Sequence, residues 1–258
     1  MVKRYRWILI TVVIALAVVV FYLAKVVSAV NHTVNTFDQA YFASLETKES
    51  DTINQCSIPG YIDLIRRKAY LSAQPKMAES DSIGLLINMR DSLIQLMIKG
   101  VVVRTVKMDD FDVSPFFQRA NQEAIYSMLS TPLIVTGMSA TFAKEPINIK
   151  IAPKDTTEVT TSIKPDTTDF ESVYFNLETN RNINLFFEQQ EDTVKTDRRT
   201  RFMFDLKDRL QEAKVTMKAV SRFETPPYTP YIKIRMPKAE AKIVYRAIPR
   251  ECMVVLIQ

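Results

Sequence analysis

The feature that most constrains this chain is an uncharged apolar run near its amino end. Residues 8–24 read ILITVVIALAVVVFYLA, which is 17 residues without a charged side chain. Trp7 and Tyr22 lie near the two ends of the run, as expected for aromatic rings at the level of lipid headgroups. A helix that continues to Val30, at about 1.5 Å per residue, would cross a hydrocarbon core about 30 Å thick with some tilt. The sequence therefore predicts a single transmembrane helix at residues 7–30.

The charges beside this run predict its orientation. Lys3, Arg4 and Arg6 precede it without an acidic residue, and basic residues favour the cytoplasmic side. We expect a cytoplasmic tail at residues 1–6, a single-pass protein in the inner (plasma) membrane, and the bulk of the chain in the periplasm. A cleaved signal peptide is the alternative, because residues 27–29 (Val-Ser-Ala) resemble a cleavage site. The run is longer than an ordinary signal-peptide core, which favours an uncleaved anchor.

A stripe of apolar residues continues beyond the predicted span. Its members recur every three or four residues, as on one face of a helix, and they are Val27, Val30, Val34, Phe37, Tyr41 and Leu45. We expect a helical stalk and linker at residues 31–60, with this stripe as a candidate helix–helix seam. Its partner is another subunit or a second copy of the chain, or else residues 61–99 of the same chain. An intermolecular seam would be largely exposed in an isolated protomer.

The overall charge does not indicate a nucleic-acid partner. The net charge is +5, but Lys3, Arg4, Arg6 and Lys25 supply four of these charges within residues 1–30. The rest of the chain is close to neutral, so the basic balance reflects the amino end. The basic run at residues 195–201 (KTDRRTR) is typical of a solvated loop or helix start.

A threonine-rich segment predicts the main domain boundary. Residues 154–169 hold six threonines and no aromatic residue, so they cannot bury enough apolar area to form a core. We interpret them as a linker between a first periplasmic α+β domain at 61–153 and a second at 170–258.

Local patterns predict the elements of both domains. In the first, we expect helices at 61–73, 83–97 and 115–130, and strands at 101–108, 132–143 and 147–153. In the second, we expect strands at 170–177, 182–189, 214–223, 231–236 and 251–257, and helices at 198–213 and 238–248. From residue 182 the order is β-α-β-β-α-β, which is the ferredoxin-like order. The predicted fold class is α+β: a membrane helix and stalk, then two small α/β-sandwich domains.

The two cysteines, Cys56 and Cys252, both follow the predicted span. In an oxidising compartment they can form a disulfide. The alternative for Cys252, which lies in the apolar segment ECMVVLI, is a buried free thiol that acts as a small hydrophobe. The sequence leaves both possibilities open.

The residues that catalysis would need are sparse. His32 is the only histidine, and it lies beside the predicted membrane, far along the chain from Cys252. No glycine-rich phosphate loop, Gly-x-Ser-x-Gly or His-Glu-x-x-His motif occurs. Asp109, Asp110 and Asp112 form an acidic cluster that is typical of a solvated turn. We expect no catalytic residues, no metal site and no cofactor.

This layout resembles the bitopic subunits of envelope-spanning secretion machines. The basic MVKRYRW start, the apolar run and the predicted β-α-β-β-α-β order of 182–257 carry the resemblance, which covers the order of elements and no specific motif. It is similar to the inner-membrane complex of type VI secretion systems, and to the alignment-complex subunits of type II secretion and type IV pili. The resemblance implies a non-catalytic structural subunit of a hetero-oligomer, with the lipid bilayer and other membrane and periplasmic subunits as partners. A periplasmic ligand-binding or sensor module is the alternative, ahead of a cell-envelope hydrolase.

Overall fold

The computed structural model of the chain describes residues 2–46, 60–144, 172–190 and 195–258. Six helices lie within these ranges: α1 (Val2–Glu46), α2 (Tyr61–Ala78), α3 (Pro115–Arg119), α4 (Gln122–Leu129), α5 (Lys195–Ser221) and α6 (Lys238–Ala247). The strands are β1 (Gly84–Asn88), β2 (Leu93–Ile98), β3 (Val101–Lys107), β4 (Asp110–Val113), β5 (Leu133–Ala140), β6 (Tyr174–Thr179), β7 (Asn184–Gln189), β8 (Tyr231–Met236) and β9 (Met253–Ile257). The chain is thus a mixed α/β protein, as the sequence predicts.

The nine described strands form one sheet in the order β3-β2-β1-β9-β5-β6-β7-β8-β4. Strand β9 lies between β1, which it pairs in parallel, and β5, which it pairs antiparallel. At the far end of the sheet β4 pairs with β8. Strands from both sequence-predicted domains therefore share hydrogen bonds, and the structure has this sheet in place of two separate sandwiches. The threonine-rich boundary at 154–169 and the predicted strand at 147–153 lie outside the described residues.

The ferredoxin-like order is wrong because residues 214–223 do not form a strand. Helix α5 runs unbroken to Ser221, so the order from β7 onward is β-α-β-α-β. No proline or glycine occurs in residues 198–221 to end the helix, and Ala213, Met217 and Val220 continue its helical spacing. Val215 and Met217 also alternate with polar residues, which produced the strand prediction.

The helix predicted at 83–97 is also wrong, since β1 and β2 form an antiparallel hairpin there. Its turn depends on Asn88, whose side-chain oxygen accepts hydrogen bonds from the backbone N–H groups of Arg90 and Asp91, both at 3.1 Å. Such Asx turns let the chain reverse without a glycine. A second hairpin turn joins β2 to β3 at Lys99 and Gly100, which both have positive φ. Positive φ at both central residues is the mark of a type I′ hairpin turn.

Three smaller differences separate the predicted and observed elements. Helix α2 continues through Pro75 to Ala78, beyond the end predicted at residue 73. The helix predicted at 115–130 is divided at Ala120 into α3 and α4. The acidic turn at Asp109, Asp110 and Asp112 includes strand β4.

The main core lies on one face of the sheet. It combines the inward side chains of β1, β2 and β5–β9 with α3, α4 and α6, and includes Leu85, Phe175, Phe187, Ile232 and Val244. Phe175 and Phe187 stack with ring centroids 4.4 Å apart and an interplanar angle of 7°. A smaller cluster on the opposite face holds α2 against the sheet through Ala73, Met77, Leu86, Met97 and Val255.

Helix α1 joins this body through residues 31–41. Val34 is buried in the main core, and the ring of Phe37 meets that of Phe116 edge-on at 5.2 Å. Asp38 accepts a hydrogen bond of 3.1 Å from the backbone N–H of Asn121, which caps α4. The amino-terminal part of α1 differs, since large apolar side chains from Val13 to Val27 are exposed. Within the described part of the chain, no helix is found to be both long and apolar enough to cross a membrane.

Candidate functional site: a polar cleft between the sheet and two long helices

The strands β6, β7 and β8 present a polar face opposite the core. Because side chains alternate along a strand, the residue after each core residue of these strands points to the opposite face of the sheet. The register places these second residues beside each other across the three strands. We call the following set the polar face: Asn176, Glu178, Asn184, Phe186, Glu188, Tyr231, Lys233 and Arg235.

A cleft of about 550 Å³ lies over one end of the polar face. Its floor includes Asn176, Asn184 and Tyr231, and its walls come from α1 at Val26 and Ala29, and from α5 at Glu212, Val215 and Thr216. The proline-rich segment at 226–229 closes a third side. Both long helices therefore contribute to this cleft.

Two buried polar side-chain atoms of residues that line this cleft, Asn176 Oδ1 and Tyr228 Oη, have no hydrogen-bond partner. Asn176 is 4% exposed, and its side-chain oxygen makes no hydrogen bond. A buried acceptor without a donor costs free energy, about 1–3 kcal/mol, unless something else occupies the space. The arrangement suits a molecule that offers hydrogen-bond donors. Burial raises the pKa of the Tyr231 phenol, which keeps it protonated and able to donate.

A charged network occupies the other end of the polar face. Glu188, only 4% exposed, accepts a hydrogen bond of 2.6 Å from the guanidinium of Arg201 on α5. Its carboxylate is also 3.6 Å from Arg235 Nε and 3.9 Å from Lys233 Nζ. Arg235 pairs in turn with Asp110 at 2.7 Å. A buried carboxylate is tolerated only when it is paired in this way, so the network fixes the start of α5 on the sheet.

Neither end of the polar face has the parts of a nucleophilic or metal centre. Among the described residues, no three His, Cys, Asp or Glu side chains form a group that could hold a metal ion. His32 lies on the exposed side of α1, where its carbonyl accepts a hydrogen bond from Thr36. The acidic residues Asp110 and Asp112 lie in β4, and Asp110 is used by the ion pair with Arg235.

Cys252 is a free, fully buried thiol. Burial raises its pKa to about 12, and the nearby Lys144 ammonium opposes that shift. Lys144 donates to the carbonyl of Ile248 and lies 5.3 Å from the ring centroid of Tyr245. The thiol thus serves as a small core side chain. Its proposed disulfide partner, Cys56, lies outside the described residues.

The predicted seam is divided between two environments. Val34 is buried and Val30, Phe37 and Tyr41 are half-buried, whereas Val27 is exposed. Helices α3 and α4 of the same chain contact this part of α1. Burial of Val34 within one protomer is contrary to the expectation that the stripe is exposed there. The side chain of Leu45 lies outside the described residues.

Sequence reasoning did not find the polar face. Its residues alternate with core residues in short strands, and this alternation is the ordinary pattern of a strand with one solvated side. The signal that could have identified it is Glu188, a carboxylate within the apolar segment NLFFEQ.

Comparison with known proteins gives no relative: no family model, no curated protein and no solved structure matches the chain.

Proposed function

We propose that this protein is a non-catalytic structural subunit of a multiprotein complex of the bacterial envelope, anchored in the inner membrane by residues 7–30. The observation that carries the proposal is the change of environment along α1. Leu16 and Val19 are 65% and 56% exposed, whereas Val34 on the same unbroken helix is 7% exposed. A continuous patch of exposed apolar side chains marks a contact with an apolar partner, and a bilayer would supply one for this stretch of α1.

The sequence supports this reading of α1. The 17 residues from Ile8 to Ala24 carry no charge, and residues 7–30 as a helix would extend about 36 Å. Lys25, the first charge after the run, can place its ammonium at the membrane surface. The basic residues before Trp7 favour a cytoplasmic amino end. The sheet and the helices packed on it would then lie in the periplasm, and the packing of Val34 and Phe37 would hold them against the anchor helix.

The anchor is tested by extraction and by a charge substitution. The full-length chain should stay with the membrane in alkaline carbonate, and a periplasm-dependent reporter fused after residue 258 should be active. Replacing Leu16 and Val20 with Lys should release the protein, since each charge at the centre of a span costs about 2.5–3.5 kcal/mol. Replacing both with Ile is the matched control. Release of the unaltered chain by carbonate would overturn the anchor.

The structural role is tested by what copurifies with the anchored chain. A tagged full-length chain in mild detergent should bring down the same membrane and periplasmic proteins in repeated experiments. Substitution of exposed residues outside the contact surfaces should leave assembly intact. A purified chain that turns over an envelope substrate, with activity lost on a single carboxylate substitution and folding retained, would overturn the role.

The cleft supports a second candidate, a ligand-binding module that acts through membrane partners. Asn176 would accept a donor, and the rings of Phe186 and Tyr231 offer apolar faces beside amide and hydroxyl groups. Such a lining suits a neutral hydroxyl- or amide-bearing molecule, for example a saccharide. N-acetylglucosamine should raise the Tm of the unaltered chain and not that of Asn176→Leu. The same Tm change in both chains, or none, would remove this candidate.

A further inference from the structure

We propose that the carboxyl-terminal tip of α5, residues 217–223, forms a second contact with the bilayer, in the headgroup region beside α1. We call these residues the α5 tip. The proposal rests on the anchor proposed above and adds a membrane contact far from it in sequence. Its occupant is a lipid surface that contains anionic headgroups.

The position of the α5 tip relative to α1 is the first observation. The ring of Phe223 lies 6.2 Å from that of Phe21, measured between centroids. The ammonium of Lys25 donates a hydrogen bond of 3.1 Å to the carbonyl of Phe223. Phe21 belongs to the uncharged run, and Lys25 is the first charged residue after it. A hydrocarbon core that holds the uncharged run, residues 8–24, would therefore have its surface near Lys25, at the level of the α5 tip.

The exposure of the α5 tip is the second observation. Met217 and Phe223 are 67% and 77% exposed, the two highest values for large apolar side chains among the described residues. Phe223 also has φ 61°, and the N–H of Glu224 bonds to the carbonyl of Ala219 at 3.0 Å. This is the helix-ending arrangement in which glycine is the ordinary residue. An aromatic ring at a strained, exposed position fits a role outside the folded body.

The charge around the α5 tip favours anionic lipid over another helix. Lys214, Lys218 and Arg222 are all exposed, and Lys25 lies directly beside them. Glu224 is the acidic residue nearest the tip in sequence. Basic and aromatic side chains at one helix end are typical of segments that lie in the headgroup region, with apolar groups about 5–10 Å deep.

The contact is tested by fluorescence quenching in full-length protein. The chain contains one tryptophan, Trp7, which reports on the anchor itself. Trp7→Phe combined with Phe223→Trp gives a single reporter at the α5 tip, and Trp7→Phe with Phe202→Trp gives a matched control at the other, exposed end of α5. Each is reconstituted in vesicles of phosphatidylethanolamine and phosphatidylglycerol, with or without lipids brominated near the headgroup.

We expect brominated lipid to quench Trp7 and Trp introduced at 223, and to leave Trp introduced at 202 unchanged. Replacing Lys218 and Arg222 with Glu should reduce quenching at 223 without changing that of Trp7. Quenching of Trp7 alone would overturn the tip contact while the anchor stands, and a blue-shifted but unquenched reporter at 223 would assign the tip to protein instead. Equal quenching at 202 and 223 would also overturn a contact specific to the tip. Unquenched Trp7 would overturn both proposals.

Discussion

Most apolar side chains of the sheet body are buried, whereas many of those on the two long helices are exposed. In the body, Leu85, Phe175 and Ile232 are completely buried by neighbours from the same chain. On α1 and α5, Leu16, Met217 and Phe223 stay exposed although their side chains are as large. Hydrophobic content alone therefore does not tell which residues form a core. The difference separates the part whose apolar side chains are mostly buried within one protomer from the part in which many apolar side chains are exposed there.

Helix α1 contains both environments on one face. Val27 and Val34 are seven residues apart, close to two helical turns, so they point in nearly the same direction. Val34 is in the core, and Val27 is 58% exposed. The boundary between body and external contact thus crosses the helix between these two valines, near the contact of Asn31 with Arg119.

The largest expected effect comes from a core ring compared with a helix-surface ring. Phe187→Ala would remove one partner of the stacked Phe175 pair and leave a cavity, which costs about 3–5 kcal/mol of unfolding free energy. Phe202→Ala, at an exposed position of α5, should change it by less than about 0.5 kcal/mol. Chemical denaturation of the detergent-solubilised chain measures both. Similar losses in the two variants would mean that α5 packs as tightly as the sheet.

The next effect concerns a buried charge compared with an exposed one. Glu188→Gln keeps the shape of the side chain but leaves Arg201, Lys233 and Arg235 without their shared carboxylate. Breaking a buried pair in this way costs about 3 kcal/mol. Asp81→Asn removes the exposed partner of Lys99, and surface pairs contribute about 0–1 kcal/mol. Equal unfolding free energies for the two variants would show that Glu188 is solvated.

A smaller change in unfolding free energy should show where along α1 burial by the sheet body begins. Val34→Ala removes the equivalent of two buried methylene groups, at about 0.8 kcal/mol each. Val27→Ala should leave the unfolding free energy of the body unchanged within about 0.5 kcal/mol. Denaturation followed by the signal of the sheet compares them. A larger loss for Val27→Ala would move the boundary toward the amino end.

The last prediction concerns the accessibility of the Cys252 thiol, and it needs the simplest measurement. In Cys56→Ser, iodoacetamide should label the remaining thiol only after denaturation. Its pKa is raised to about 12 in the folded chain, compared with about 8.5 for a free thiol. At pH 8 the folded thiol is therefore almost entirely protonated as well as inaccessible, whereas a substantial fraction of the denatured thiol is the reactive thiolate, so labelling should be much faster after denaturation. Rapid labelling at pH 8 in buffer would contradict burial of this thiol.

Sequence patterns predicted the elements that are bounded by strong local signals. Ser114 and Pro115 predicted a helix start, and α3 begins at Pro115. The alternation of YIKIRM predicted β8 at 231–236, which is where it lies. In these cases the backbone preference of the residues and their burial pattern favour the same structure. Contacts with distant parts of the chain therefore did not change the secondary structure that the local sequence predicts.

The predictions were wrong in segments whose apolar residues fit both the helical spacing and the strand alternation. Residues 83–97 have apolar side chains at helical spacing, but burial on both sides of β1 and the turn at Asn88 favour a hairpin. Residues 214–223 alternate like a strand, but they belong to α5, which continues to Ser221. Which period is used depends on long-range pairing, and no local pattern contains that information.

The candidate site could not be predicted for a related reason. The cleft exists because Val26 on α1, Val215 on α5 and Asn176 on β6 come together from three distant parts of the chain. Each residue has an ordinary local explanation in its own element. The apolar run of α1 and the stripe that follows it could be recognised in the sequence because each belongs to one continuous segment. The polar face could not, because its residues come from three separate strands.

The central place of β9 also affects how the protein is made. Residues 253–257 lie between β1, which is synthesised about 170 residues earlier, and β5. The ribosome must synthesise the chain as far as Val254 on β9 before Leu85 and Leu133 can meet this shared neighbour. Until then, apolar edges of two half-sheets are open to solvent, and pairing over such distances is slow. The nascent chain therefore has a long interval of vulnerability to aggregation and proteolysis, in which a holdase chaperone would have most effect.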